Sequence, residues 1–123
     1  MYLAGASHPN KQLAMGALLR LATDAVPLVT DAEVFQEVLH RYTAIRRTEA
    51  IKTCFDLLNR LTQEVYSIDK TTVESARSIL HVHAGVSARD AIHVAVMQQK
   101  GIATILSFEE GYDLIPGITR ITA

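Results

Sequence analysis

Apolar and polar positions along the chain switch repeatedly between a helical and a strand-like spacing. From Asn10 to Thr23 the residues Leu13, Ala14, Ala17, Leu18, Leu21 and Ala22 recur along one helix face. Ser7 can cap this segment, and Pro9 suits its first turn. Val26 to Val29 is a short apolar run of strand character. Thr30-Asp31-Ala32-Glu33 then reads as a capping box with Thr30 as the cap, opening a helix from about Asp31 to about Arg46. Thr48 starts another, with Ile51, Cys54, Phe55, Leu58 and Leu61 on one face. Glu64 to Ile68 is strand-like, and Asp69 caps a helix carrying Val73, Ala76, Ile79 and Leu80 that Gly85 ends. Ser87 opens the next helix, with Ala91, Val94 and Ala95 inward and Gly101 closing it. Ile102 to Leu106 reads as a strand, Gly111 and Pro116-Gly117 as turns, and Ile118 to Ile121 as a final edge strand.

This alternation predicts an α/β layer fold with a mostly parallel sheet covered on both faces. Ligands of such folds sit beyond the carboxyl ends of the strands. Thr30 and Asp31 follow the first clear strand, Asp69 the second, and Ser107, Glu109 and Glu110 the third. Asp90 lies in the first turn of the helix that Ser87 opens.

Length adds that 123 residues suit one core, so residues 1–123 are expected to form a single domain. Hydrophobic residues make up 49% and charged residues 20%, a balance that argues against disorder. No apolar run reaches the roughly 18 residues of a spanning helix, and Met1 to Lys11 lacks the features of a secretion signal. With a single cysteine, Cys54, ruling out an internal disulfide, the expected setting is the cytoplasm, with no membrane association. Charge complicates the picture. Twelve Lys and Arg against 13 Asp and Glu give a net of -1, without the basic excess of proteins that hold nucleic acid by neutralising phosphate. A nucleic-acid function would need a local patch or a metal that inverts the sign of an acidic site. The acids are also unevenly spread, since none precedes Asp24.

Four acids stand out by placement: Glu37 inside an apolar helix stretch, Asp90 at a helix start, and Glu109 and Asp113 around the turn after the Ile102 to Leu106 strand. Clustered carboxylates repel, and a hard divalent cation such as Mg2+ or Mn2+ resolves that repulsion with oxygen ligands. A metal held this way supports phosphodiester hydrolysis. Each acid also has a plainer reading. Asp90, three residues after Ser87, completes a capping box; Glu37 suits the rim of an amphipathic helix; Glu109-Glu110 suits a solvated turn. His81-Val82-His83 has no further ligand nearby in sequence; His93, three after Asp90, could face the same site but reads first as a packing residue, as does Cys54. Spacing alone does not decide between these readings.

Three segments in order carry a resemblance: Val34-Phe35-Gln36-Glu37-Val38-Leu39-His40-Arg41-Tyr42, Ser87-Ala88-Arg89-Asp90-Ala91-Ile92-His93-Val94-Ala95, and the run from Ile105-Leu106-Ser107-Phe108-Glu109-Glu110 to Ile118. Together they resemble the PIN domains of VapC-type toxins, over essentially the whole chain. The resemblance implies a three-layer α/β/α fold with a central parallel sheet, and a Mg2+- or Mn2+-dependent endoribonuclease. It also implies a cognate antitoxin partner and, often, a homodimer. Glu37 matches the family's helix glutamate, Asp90 its helix-start aspartate, and Asp113 the later aspartate of the turn. Glu109 stands where the family normally has Asp, and Ser107 would position a water or a carboxylate. The family opens on a mid-sheet strand ending in an Asp-Thr-Asn-like motif, whereas Tyr2 to Pro9 resembles the segment after it. The expectation is therefore a fold lacking that first strand and its metal-binding aspartate, with a start upstream of Met1. Two readings follow: an RNA-cleaving toxin, or a degenerate PIN-like module that binds an antitoxin or RNA without cutting.

Overall fold

The computed structural model describes residues 1–4 and 27–121. The helix expected over Asn10 to Thr23, with its Ser7 cap, lies outside them. In chain order the elements are β1 (Tyr2–Leu3), β2 (Val29–Asp31), α1 (Ala32–Ala44), α2 (Glu49–Leu61), β3 (Glu64–Tyr66), α3 (Lys70–Val82), α4 (Ala88–Lys100), β4 (Thr104–Leu106), a 3-10 helix (Glu110–Leu114) and β5 (Thr119–Ile121). The five strands form one sheet in the order β3-β2-β1-β4-β5, and every pairing is parallel.

Alternate strand residues face opposite sides of the sheet, and both sides are filled. Tyr2 and Ile105 point into a cluster with Ala76 and Ile79 of α3 and Ala91, Val94 and Ala95 of α4. Their neighbours Leu3 and Leu106 point the other way, onto Leu28 with Leu58 and Leu61 of α2. Helices on both faces of a parallel sheet make the three layers that the alternation predicts.

The expected absence of a mid-sheet strand does not hold. Tyr2–Leu3 fills the central place, pairing with β2 on one side and β4 on the other. Val29 N donates to the Met1 carbonyl at 2.9 Å, and the Thr30 hydroxyl donates to the Leu3 carbonyl at 2.7 Å. Two residues suffice because Tyr2 is fully buried and pairs on both sides, with Val29 and Ile105, while Leu3 pairs with Leu106.

Helix starts follow local chemistry. Asp69 caps α3 by accepting from Thr72 N at 2.9 Å, with Thr72 returning the contact. Ser87 caps α4 by accepting from Asp90 N at 3.1 Å, and Gly101 closes it with φ +67°, a left-handed conformation that glycine adopts without penalty. At α1 the cap is Asp31 and not Thr30. Its Oδ1 accepts from Val34 N at 3.2 Å, because β2 runs on through Thr30 to Asp31 in register with β3. The expected Val26 to Val29 strand is correspondingly shifted towards the carboxyl end.

Candidate active site

Asp31, the last residue of β2, is fully buried, and both of its oxygens are occupied. While Oδ1 caps α1, Oδ2 lies 2.7 Å from Nδ1 of His93 on α4. The opposite ring nitrogen, Nε2, meets Glu37 Oε1 on α1 at 3.0 Å. His93 is therefore clasped between two carboxylates from two other elements, and its side chain is 1% exposed. Burial alone would push the imidazole towards neutrality, but the hydrogen bonds and charges of Asp31 and Glu37 outweigh it and raise its pKa to about 10. Both ring nitrogens then donate. The ring of Tyr2 packs tilted against that of His93, with centroids 6.0 Å apart, so β1 forms a wall of the site.

A second buried donor holds Asp90. Tyr112, in the 3-10 helix after β4, is fully buried and donates its hydroxyl to Asp90 Oδ1 at 2.9 Å. Burial, then the neighbouring charge of Asp90, raises the phenol well above its ordinary range, and the charges of Glu37 and Asp31 add to this. Glu33, a turn before Glu37, belongs to the same field: burial and the Glu37 charge raise its pKa, while His93 and Arg89 oppose them.

The four acids singled out by sequence are thus divided. Glu37 and Asp90 are linked through α4, since Asp90 lies three positions before the His93 that holds Glu37, and each has one oxygen held and the other without a partner among the described residues. Glu109 is half-buried, and its carboxylate has no partner among the described residues. Its backbone N donates to Ser107 Oγ at 3.0 Å, so the buried Ser107 shapes the turn. Asp113 points elsewhere. It takes Nε and Nη2 of Arg120 on β5 at 2.9 and 2.8 Å, which lowers its pKa and leaves it exposed. Asp31 and Tyr112 were not among the predicted site residues, and His93, three positions after Asp90, was weighed as facing the same site but expected to pack. Asp31 did carry a signal, as an acid directly after a strand. The expected capping box at Asp90 is only half formed: its backbone N donates to Ser87 Oγ, but its carboxylate turns to Tyr112.

Carboxylate oxygens suit a hard divalent cation, so in kind Glu37, Asp90 and Glu109 fit Mg2+ or Mn2+. In number the fit is partial: among the described residues no group of three or more His, Cys, Asp or Glu is arranged to hold a metal ion. His81 and His83 form no such group either.

A parallel sheet wrapped by helices, with acids gathered past the ends of its strands, defines an α/β domain with an anionic site. The PIN domain family model matches residues 1–118, and the chain belongs to that family. It is 48% identical over 121 residues to ribonuclease VapC13 of Mycobacterium tuberculosis, covering 98% of this chain and 92% of that protein. A VapC ribonuclease of Mycobacterium bovis matches to the same extent. Ribonuclease VapC23 of M. tuberculosis is 33% identical over 109 residues, covering 89% of this chain and 86% of that one. Among solved structures, M. tuberculosis VapC20, described as a Sarcin-Ricin loop cleaving toxin, superposes with a TM-score of 0.67. That match has 22% identity and covers 89% of each chain, a likeness of fold.

Proposed function

We propose that residues 1–123 form one domain that acts as a VapC-type endoribonuclease dependent on Mg2+ or Mn2+, the toxin of a toxin-antitoxin pair. The observation that carries this reading is that Glu37 and Asp90 are each held at one oxygen by a buried donor, His93 or Tyr112, with the other oxygen free among the described residues, and that Asp90 and the His93 that holds Glu37 lie three positions apart on α4. The relatives named as VapC ribonucleases, one 48% identical over nearly the whole chain, support it. Glu37 and Asp90 would hold the cation, with Glu109 as a further donor from the turn. A divalent cation bound there lowers the pKa of water and neutralises charge on a phosphoryl oxygen.

The chain's own residues do the rest. Glu37 and Asp90 each present one oxygen to the site, because His93 and Tyr112 occupy the others. His93 offsets part of the negative charge gathered by Asp31, Glu33 and Glu37, which lets three acids stand close without a large repulsive cost. A net charge of -1 does not oppose an RNA substrate when the acids are masked in this way. The partners are the RNA substrate, a cognate antitoxin and a second copy of the chain. The setting is the cytoplasm; among the described residues no helix is long and apolar enough to cross a membrane.

The test is cleavage of a panel of structured RNAs by the purified chain with Mg2+ or Mn2+, against an EDTA control. Metal-dependent cleavage that Asp90→Asn abolishes supports the reading. No cleavage of any RNA with either metal overturns it and favours the binding-only module.

A further inference from the structure

Both nitrogens of His93 are spent on carboxylates inside the protein, one on the fully buried Asp31 and one on the partly exposed Glu37. A histidine needed only for packing would be satisfied by Asp31 alone, and Glu37 at a helix rim could be satisfied by water. Asp31 is itself fully buried and bonded at both oxygens, Oδ1 to the α1 backbone and Oδ2 to the ring. The ring plane is therefore set before Glu37 is met. The Glu37 contact fixes one carboxylate oxygen and determines which oxygen faces the site. This is the arrangement by which an acid orients a histidine and the histidine in turn orients a reacting group.

We infer that His93, oriented by Asp31, is the positioning residue for Glu37: it presents the free Glu37 oxygen to the cation and the RNA phosphate. The inference rests on reading the site as a metal-dependent nuclease. It assigns Asp31 and His93 a role in activity although neither touches metal or substrate.

The experiment compares the full-length wild-type chain with His93→Gln, His93→Leu, Asp31→Asn and Glu37→Gln. Folding is checked by circular dichroism, Mn2+ affinity is measured by calorimetry without RNA, and kcat and KM are measured with RNA. Partner groups behind a metal ligand typically contribute about 10- to 100-fold to affinity or activity. His93→Leu should weaken Mn2+ binding by an amount in that range and lower kcat with KM for RNA little changed. His93→Gln, whose amide can still donate to Glu37, should recover part of the loss. Asp31→Asn keeps the shape and the α1 cap and should show a smaller loss of the same kind, so the inference stays testable if His93→Leu does not fold. In the 15N spectrum of the imidazole, Glu37→Gln should shift the Nε2 signal of His93. An unmoved Nε2 signal overturns the inference whatever the activity, as does a folded His93→Gln or Asp31→Asn variant with wild-type Mn2+ affinity and kcat. A wild-type chain that neither binds Mn2+ nor cuts RNA overturns the nuclease reading itself, and this inference falls with it.

Discussion

The start of α4 and the turn after β4 each carry acids that look alike in sequence, yet the fold treats them in opposite ways. Asp90 is backed by a fully buried phenol that donates to one of its oxygens. Asp113, twenty-three positions later, lies at the surface with both oxygens on one guanidinium. The difference is in what stands behind the carboxylate. A buried neutral donor fixes an acid while leaving its charge uncompensated, and an uncompensated charge can bind a cation or a proton. At Asp113 the Arg120 guanidinium compensates the charge, and the pair ties the 3-10 helix to β5.

The comparison makes its largest prediction about activity. Asp90→Asn and Glu37→Gln should each lower RNA cleavage about 1,000-fold, equivalent to about 4 kcal/mol of transition-state stabilisation. Single-turnover cleavage at saturating Mn2+ measures this. Loss confined to KM would mean that the two acids bind RNA without supporting chemistry.

The second prediction concerns stability at the same site. His93→Leu leaves Asp31 and Glu37 facing each other without their cation and should cost about 3 kcal/mol in urea unfolding at pH 6. The pH dependence has a definite sign. The folded-state pKa of His93 is raised, from 6.5 to about 10, so its contribution is present in full below pH 6.5. It declines as pH rises from there and is gone above about 10. In His93→Leu that alkaline decline should disappear. Wild-type stability that is flat from pH 6.5 to 10 would show that the imidazole is neutral in the folded protein.

What could be read from sequence divides by distance along the chain. The Asp69 and Ser87 caps, the Gly101 terminus and the start of α4 were legible because each is settled within about four residues by backbone hydrogen bonding. The parallel sheet was legible from the alternation of short apolar runs with amphipathic helices. The Asp31–His93 contact spans 62 residues and the Tyr112–Asp90 contact 22, and no local spacing encodes either. The resemblance singled out Glu37 and Asp90, yet gave no sign that His93 holds the one and Tyr112 the other. The misplaced cap at Thr30 has the same origin, since its hydroxyl is drawn to Leu3 across the sheet. Strand β1 was missed because two residues are too few to show a period; its partners make it a strand.

A third prediction uses Asp69, an acid after a strand that belongs to no site. Its carboxyl is held below the ordinary range by hydrogen bonds from the Thr72 backbone and hydroxyl. A lowered carboxylate stabilises above its unfolded pKa and loses that effect as pH falls through the folded value. Asp69→Ala should therefore lower Tm modestly at pH 7, less at pH 3, and leave RNA cleavage unchanged. A loss of cleavage matching that of Asp90→Asn would place Asp69 in the site after all.

The smallest effect is expected at Asp113, and it bears most directly on the contrast between the two acids. Asp113→Asn keeps the size of the side chain and removes the charge paired with Arg120, whose Nη1 also reaches the Ser107 carbonyl at 3.4 Å. Exposed ion pairs contribute little and are screened by salt. The variant should change cleavage by less than about threefold and lower Tm only slightly, with the Tm difference shrinking further in 1 M salt. Arg120→Gln should match it, because each substitution breaks the same pair. If Asp113→Asn instead abolishes cleavage while Arg120→Gln preserves it, Asp113 leaves the arginine during the reaction and joins Glu37 and Asp90. The ion pair would then be the resting position of a fourth catalytic acid, and the division between the two regions would describe only the state without metal and RNA.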